Sequence, residues 1–338
     1  MKSHINIKMA AEIKNKPEVS SLYILKAIFA LVVVAIHTPP LEHVINSSLM
    51  SPIAVAAVPV FFAITGYFLY TDRREDLVPR TKKMLFKSIK IWIITNIVYF
   101  LYHTAMGKIL YSSWSDVGSF FILGMTNEGI LWYLYALVNT LIIIYLLFNI
   151  KAYKAIYFLP LLGFITLFLG KYSFLLGSEE TILLDFNFLG CGLPYVALGF
   201  CIHRYESVLL KYSWLDLTAV ILIFNWIEMA LLGSLADQYW GRFFFTMPLT
   251  GAFLCLAISR KEYGAESIFA TIGKKYSGNI YYFHFLIIYI FRVVIDKVLP
   301  FTSDFYQNVG FILVFFASLI VAQGIVWIQD RFQWDILR

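Results

Sequence analysis

The chain has 338 residues, 60% of them hydrophobic and 18% aromatic, with only 14% charged and a mean hydropathy of +0.75. No aqueous domain needs that much apolar surface, so the expected solvent is lipid, in which every backbone polar group must be paired internally. The net charge of +6 raises nucleic acid as a partner, but the basic residues fall in alternate loops, and glycine-rich phosphate loops, GxSxG, HExxH and paired-cysteine motifs are absent.

Residues 1–18 are polar and basic and read as a flexible cytoplasmic lead to a single membrane domain over 19–338. The first apolar run, Leu22 to His37, has no small-residue cleavage site after it, so it reads as a retained helix and not a signal peptide. Apolar runs of the length that a hydrocarbon core of roughly 30 Å requires then recur. They are placed near 21–38, 52–70, 85–105, 130–149, 154–171, 187–203, 215–233, 242–258, 279–298 and 307–328. The piece at 116–125 is too short to cross and reads as interfacial or re-entrant. The fold class is therefore all-α, a polytopic membrane bundle of about ten helices.

Loop charge sets the expected orientation. Arg73, Arg74, Arg80, Lys82, Lys83, Lys87 and Lys90 follow the second span, and Lys151, Lys154, Arg204, Lys211, Arg260, Lys261, Lys274 and Lys275 fall in later loops of the same parity. The alternate loops hold only Lys108, Lys171, Arg242 and Lys297. The positive-inside rule then puts both termini in the cytoplasm.

Polar residues within the spans are the candidates for chemistry, because ionisable groups in lipid are costly. Lys26 and His37 are eleven residues apart. At about 100° per residue they share one helix face, roughly 16 Å apart along the axis. His37-Thr-Pro-Pro40 ends that helix, because proline cannot continue it. Glu228 lies deep in the seventh span, where Arg292 or Lys26 could pair with it. Arg242 opens the eighth span as an interfacial anchor or a seat for an acidic acceptor. Trp132 and Tyr133 serve as interfacial aromatics or as pocket wall. The cysteines Cys191, Cys201 and Cys255 have no metal-ligand spacing, and no metal is expected.

Several of these stretches, taken in order, resemble the membrane acyltransferase-3 family. Lys26, ten residues, then His37 is similar to its arginine-or-lysine and histidine signature on the first helix. Val58-Pro-Val-Phe-Phe-Ala-Ile-Thr65-Gly66 resembles its PxFFxxSG stretch, and Arg80-Thr-Lys82-Lys83 into Lys87 its basic cluster. Leu131-Trp132-Tyr133-Leu134, Leu193-Pro194-Tyr195 through Gly199, and Ser277 through Tyr281 to His284 resemble three further motifs. The chain departs from the pattern at Lys26, where arginine is usual, and at Ile130, where many members have histidine.

The resemblance implies an enzyme of the bacterial inner (plasma) membrane. It implies transfer of an acyl group, expected to be acetyl, from cytoplasmic acyl-coenzyme A to a hydroxyl of a surface or exported glycan. Arg80, Lys82, Lys83 and Lys87 would pair with the donor's phosphates; the plain alternative is contact with anionic lipid. His37 would act as general base, or carry the acyl group itself, while Lys26 orients the donor. Trp132, Tyr133, Tyr281, His284, Glu228 and Arg242 would line the substrate pocket. The rival reading is a small-solute transporter, although no matching pair of broken spans marks inverted repeats.

Overall fold

The computed structural model describes residues 19–39, 51–108, 113–122, 127–177, 184–232 and 241–334. The expected lead at 1–18 and Pro40 lie outside the described residues. In chain order the helices of eight or more residues are α1 (Ser20–Ala35), α2 (Ser51–Leu69), α3 (Arg74–Ala105), α4 (Trp114–Ile122), α5 (Trp132–Asn149) and α6 (Pro160–Leu169). They continue as α7 (Leu193–Arg204), α8 (Trp214–Leu232), α9 (Thr246–Ile258), α10 (Ile268–Lys275), α11 (Ser277–Lys297) and α12 (Ser303–Phe332). Among the described residues six apolar segments are long enough to cross a bilayer and four are shorter. They fall at the ten expected places, and the chain is a multi-pass, all-helical membrane protein.

Two expected boundaries change. The third span begins at Arg74, not at 85, so α3 runs 32 residues, roughly 48 Å. Hydropathy reads only its apolar part, but Glu75 and Asp76 in the first turn suit a helix N-terminus and the following lysines are good helix formers. The expected span at 154–171 is instead broken into a 3₁₀ turn (Tyr153–Tyr157), α6 opening on Pro160, and a second 3₁₀ turn (Ser173–Leu176). Proline suits a first helical position and not an interior one. In the 116–125 segment, helix α4 has nine residues, roughly 14 Å, too short to cross; positions 123–125 lie outside the described residues.

Helix α2 is the hub. In its apolar window 67% of residues are buried, against 22% for α8, so α8 faces outward and α2 is enclosed by other helices. It packs against α7 at backbone contact. A methyl group built on Gly66 would sit 1.8 Å from the Val196 carbonyl oxygen, and one on Gly199 would sit 1.7 Å from that of Ala63. Small residues at such crossings let helix backbones approach in lipid, where dispersion and not water exclusion drives association.

The basic loops gather at one end of the bundle. The Ser21 amide donates to the Lys261 carbonyl (3.2 Å), Lys261 pairs with Glu206 (2.5 Å), and Tyr67 donates to the same carboxylate (2.7 Å). Arg80 donates to the Tyr70 carbonyl (2.9 Å). At the opposite end, the Phe311 amide donates to Pro39 (3.1 Å) and Asn127 ties its loop to Asn96 (2.9 Å).

The α2–α7 contact yields a test. Gly66→Val or Gly199→Val is expected to destabilise the protein by about 3 kcal/mol or more, because the clash is with backbone and not with a movable side chain. Gly251→Ala, whose added methyl has nothing nearer than 3.8 Å, should leave the protein intact. Thermal melting and gel filtration in detergent distinguish the two outcomes.

Candidate active site

Helix α1 ends at Ala35, two residues before its histidine. The Thr38 hydroxyl donates to the Val34 carbonyl (2.8 Å) and the His37 amide to the same oxygen (3.2 Å), which closes the last turn. The His37 side chain opens into a cavity of about 400 Å³, within the size range of small-molecule sites. Trp132, Phe186, Tyr281 and Phe285 give that cavity aromatic walls, and among the described residues Asp185 and Arg242 are its lining carboxylate and guanidinium. Pro59 and Val55 of α2 line it too; proline has no N–H to give the Val55 carbonyl, so the helix is loosened where it meets the cavity.

His37 stacks on His284, with ring centroids 5.6 Å apart, and meets the edge of Phe285 at 4.8 Å. The Nδ1 of His284 lies 2.7 Å from the Tyr281 carbonyl oxygen. A carbonyl only accepts, so Nδ1 carries the hydrogen and the neutral ring leaves Nε2 as a lone pair. That Nε2 is buried and has no hydrogen-bond partner among the described residues. His284 therefore backs His37 and does not line the cavity.

Lys26 lines a second cavity of about 270 Å³, together with Lys87, Thr65, Ser88, Tyr133 and Tyr282. No carboxylate lines it among the described residues. Tyr281 belongs to both cavities. Its hydroxyl donates to the Ile130 carbonyl (3.1 Å), and its ring packs on Tyr133 at 5.1 Å and Phe61 at 6.0 Å. Lys26 and His37 thus open into two chambers that meet at one tyrosine.

The other expected site residues divide. Of the basic cluster, Lys87 reaches the second cavity, whereas Arg80 is turned back onto the Tyr70 carbonyl and Lys82 and Lys83 are exposed on the outer side of α3. Trp132 and Arg242 line the first cavity and Tyr133 the second. Glu228 lines neither. The expected cationic partner is replaced by neutral donors: the Phe244 and Phe245 amides (2.7 and 2.9 Å) and the Tyr172 hydroxyl. The carboxylate thus satisfies backbone donors just ahead of α9, where negative charge is favoured. Arg292 is exposed on α11.

Two further groups carry no signal in the sequence. His103 and Glu128 form a buried pair (3.1 Å), with Tyr289 donating to the same carboxylate oxygen (2.9 Å) and Glu128 also accepting from the Gly129 amide (3.0 Å). They fix the loop that leads into Trp132. Arg242, expected to face a ligand, gives its hydrogen bonds to Asp185 (2.9 Å), the Leu184 and Gly163 carbonyls (both 3.1 Å) and the Thr166 hydroxyl (3.3 Å). Lys171, read as a loop cation, is fully buried with its ammonium 3.6 Å from the centre of the Phe243 ring, a cation–π contact. Only the return of distant segments brings these groups together.

Among the described residues no cluster of histidine, cysteine, aspartate and glutamate could hold a metal. A family model described as an acyltransferase domain matches residues 19–328. No curated protein and no solved structure shows significant similarity.

The role of Glu228 can be checked directly. Glu228→Ala leaves the half-buried Phe244 and Phe245 amides without their acceptor and is expected to cost about 1–2 kcal/mol, read as a lower apparent melting temperature in detergent. Glu228→Gln keeps one acceptor oxygen and should lose less.

Proposed function

The chain belongs to the acyltransferase-3 family of membrane O-acyltransferases, and from that premise we propose that it moves an acyl group, acetyl in the first instance, from cytoplasmic acyl-coenzyme A to a glycan hydroxyl. The observation that carries this reading is the pair of cavities meeting at Tyr281, one holding Lys26 and Lys87 and the other His37. A coenzyme A donor is an anionic head on a long thin arm. The head suits the basic end of the bundle, where Lys82 and Lys83 are exposed to it and charge-assisted phosphate contacts are strong. The arm suits a narrow chamber that carries two cations and no carboxylate among its described lining.

In the reaction the His37 imidazole takes the proton of the acceptor hydroxyl as its oxygen attacks the thioester carbon. The tetrahedral intermediate collapses to the ester and expels the coenzyme A thiolate, which takes up the proton from the imidazolium. General-base assistance of this kind is worth about 10²–10⁴-fold. Lys26 holds the donor and is not the base. Lysine at this position gives a point charge without the bidentate fork of an arginine, which suits a phosphate or carbonyl oxygen reached from one side. Tyr281 stands between donor and acceptor chambers, so the acyl carbon passes beside its ring.

With the basic loops in the cytoplasm, the His37 cavity faces the far half of the bilayer. That is where an exported glycan would be met.

The test is release of free coenzyme A from acetyl-coenzyme A by purified protein in lipid nanodiscs with candidate glycans. His37→Ala should lower the rate at least ~100-fold with the protein still folded; full activity in that variant would sink the proposal. Lys26→Met and Lys87→Met should raise the donor KM more than they lower kcat. Uptake of a solute by proteoliposomes without any thioester turnover would favour a transporter.

A further inference from the structure

One carboxylate in the His37 cavity is held in place by everything around it except the cavity itself. Asp185 is 2% exposed. Its Oδ1 accepts from Arg242 at 2.9 Å, and its own backbone carbonyl accepts from the Cys191 thiol at 3.1 Å. Arg242 is in turn tied down by two carbonyls and the Thr166 hydroxyl. The second oxygen, Oδ2, makes no hydrogen bond among the described residues, and Asp185 lines the same cavity as His37. Gly241 keeps that oxygen clear. It has φ +83°, and a side-chain carbon there would come within 2.7 Å of Oδ2.

We propose that Asp185 is an acceptor-binding residue, its free Oδ2 taking a hydrogen bond from a second hydroxyl of the molecule whose first hydroxyl is acylated at His37. This rests on the acyltransferase reading and specifies its acceptor: a neutral ring bearing at least two hydroxyls. The local charge selects that class. Arg242 already pairs with this carboxylate, so an ammonium-bearing acceptor would bury a second cation against a carboxylate that is already paired, while an acidic group at Oδ2 would meet a carboxylate oxygen. A neutral hydroxyl meets neither penalty and supplies the missing donor. The aromatic walls fit the rest of the molecule: Trp132 packs edge-on to Phe186 at 5.3 Å, and both line the cavity with flat apolar surface. Arg242 becomes a positioning residue. It fixes Asp185 and is not a seat for an acid.

The experiment measures coenzyme A release from acetyl-coenzyme A with the methyl glycosides of glucose, galactose and N-acetylglucosamine, and with cyclohexanol as an acceptor of one hydroxyl. The wild-type protein should prefer its best glycoside over cyclohexanol by about tenfold or more in kcat/KM, the scale of one hydrogen bond to a charged group. In Asp185→Asn that preference should fall to less than about threefold, mostly through a higher glycoside KM. The ratio is taken within each protein, and the wild-type preference stands as a test even if the variant folds poorly. An Asp185→Asn protein that keeps the full preference, or a wild-type protein that treats cyclohexanol and glycosides alike, overturns the assignment of Asp185 while leaving the acyltransferase reading in place. Absence of coenzyme A release with every acceptor overturns both.

Discussion

The arrangement of the bundle depends on the contact between α2 and α7, where the Gly66 and Gly199 positions each lie against the other helix's backbone. That contact holds α2 in the centre and fixes its rotation about its own axis. Its remaining faces then supply Val55, Val58 and Pro59 to one cavity and Phe61, Ile64 and Thr65 to the other. In lipid there is no water-exclusion force to hold helices together. A position at which backbones touch is therefore a constraint that neighbouring side chains have to accommodate.

Polar groups inside the bundle follow a second rule, that whatever is buried must be paired. Glu228 and Glu128 obey it with backbone amides, tyrosine hydroxyls and a histidine; His103 and Arg242 pair with carboxylates, each leaving one nitrogen without a partner among the described residues. Such groups hold loops and helix ends in place. Two atoms near His37 also go without a partner among the described residues. His284 Nε2 is buried behind the His37 ring, and Asp185 Oδ2 lies beside the same cavity. Unsatisfied polar atoms cost stability, and of these two residues only Asp185 lines a cavity from which a donor could reach it.

Charge and shape divide the labour between the two chambers. The one toward the basic end carries lysines and hydroxyls; the other carries aromatic rings, a histidine and a clamped carboxylate. Tyr281, anchored to the Ile130 carbonyl, stands between them. Ile130 itself also lines the His37 cavity.

Much of this was legible in the chain itself. Hydropathy located the ten apolar segments seen among the described residues, because lipid demands long apolar runs whatever their neighbours are; the spacing of Lys26 and His37 put both on the first apolar run, but His37 lies past the end of α1 and the two line different cavities. Motif order was enough to read the family. Tertiary structure alone decided which charges face a ligand. Arg80 is spent on a carbonyl, Glu228 on two amides and Arg242 on Asp185, while Lys87 reaches a cavity. Asp185 and Arg242 are 57 residues apart, and no periodicity links them. The reason is physical: an apolar run answers to its solvent, residue by residue, but a buried charge answers to whichever partner the packing of distant helices brings within hydrogen-bond reach.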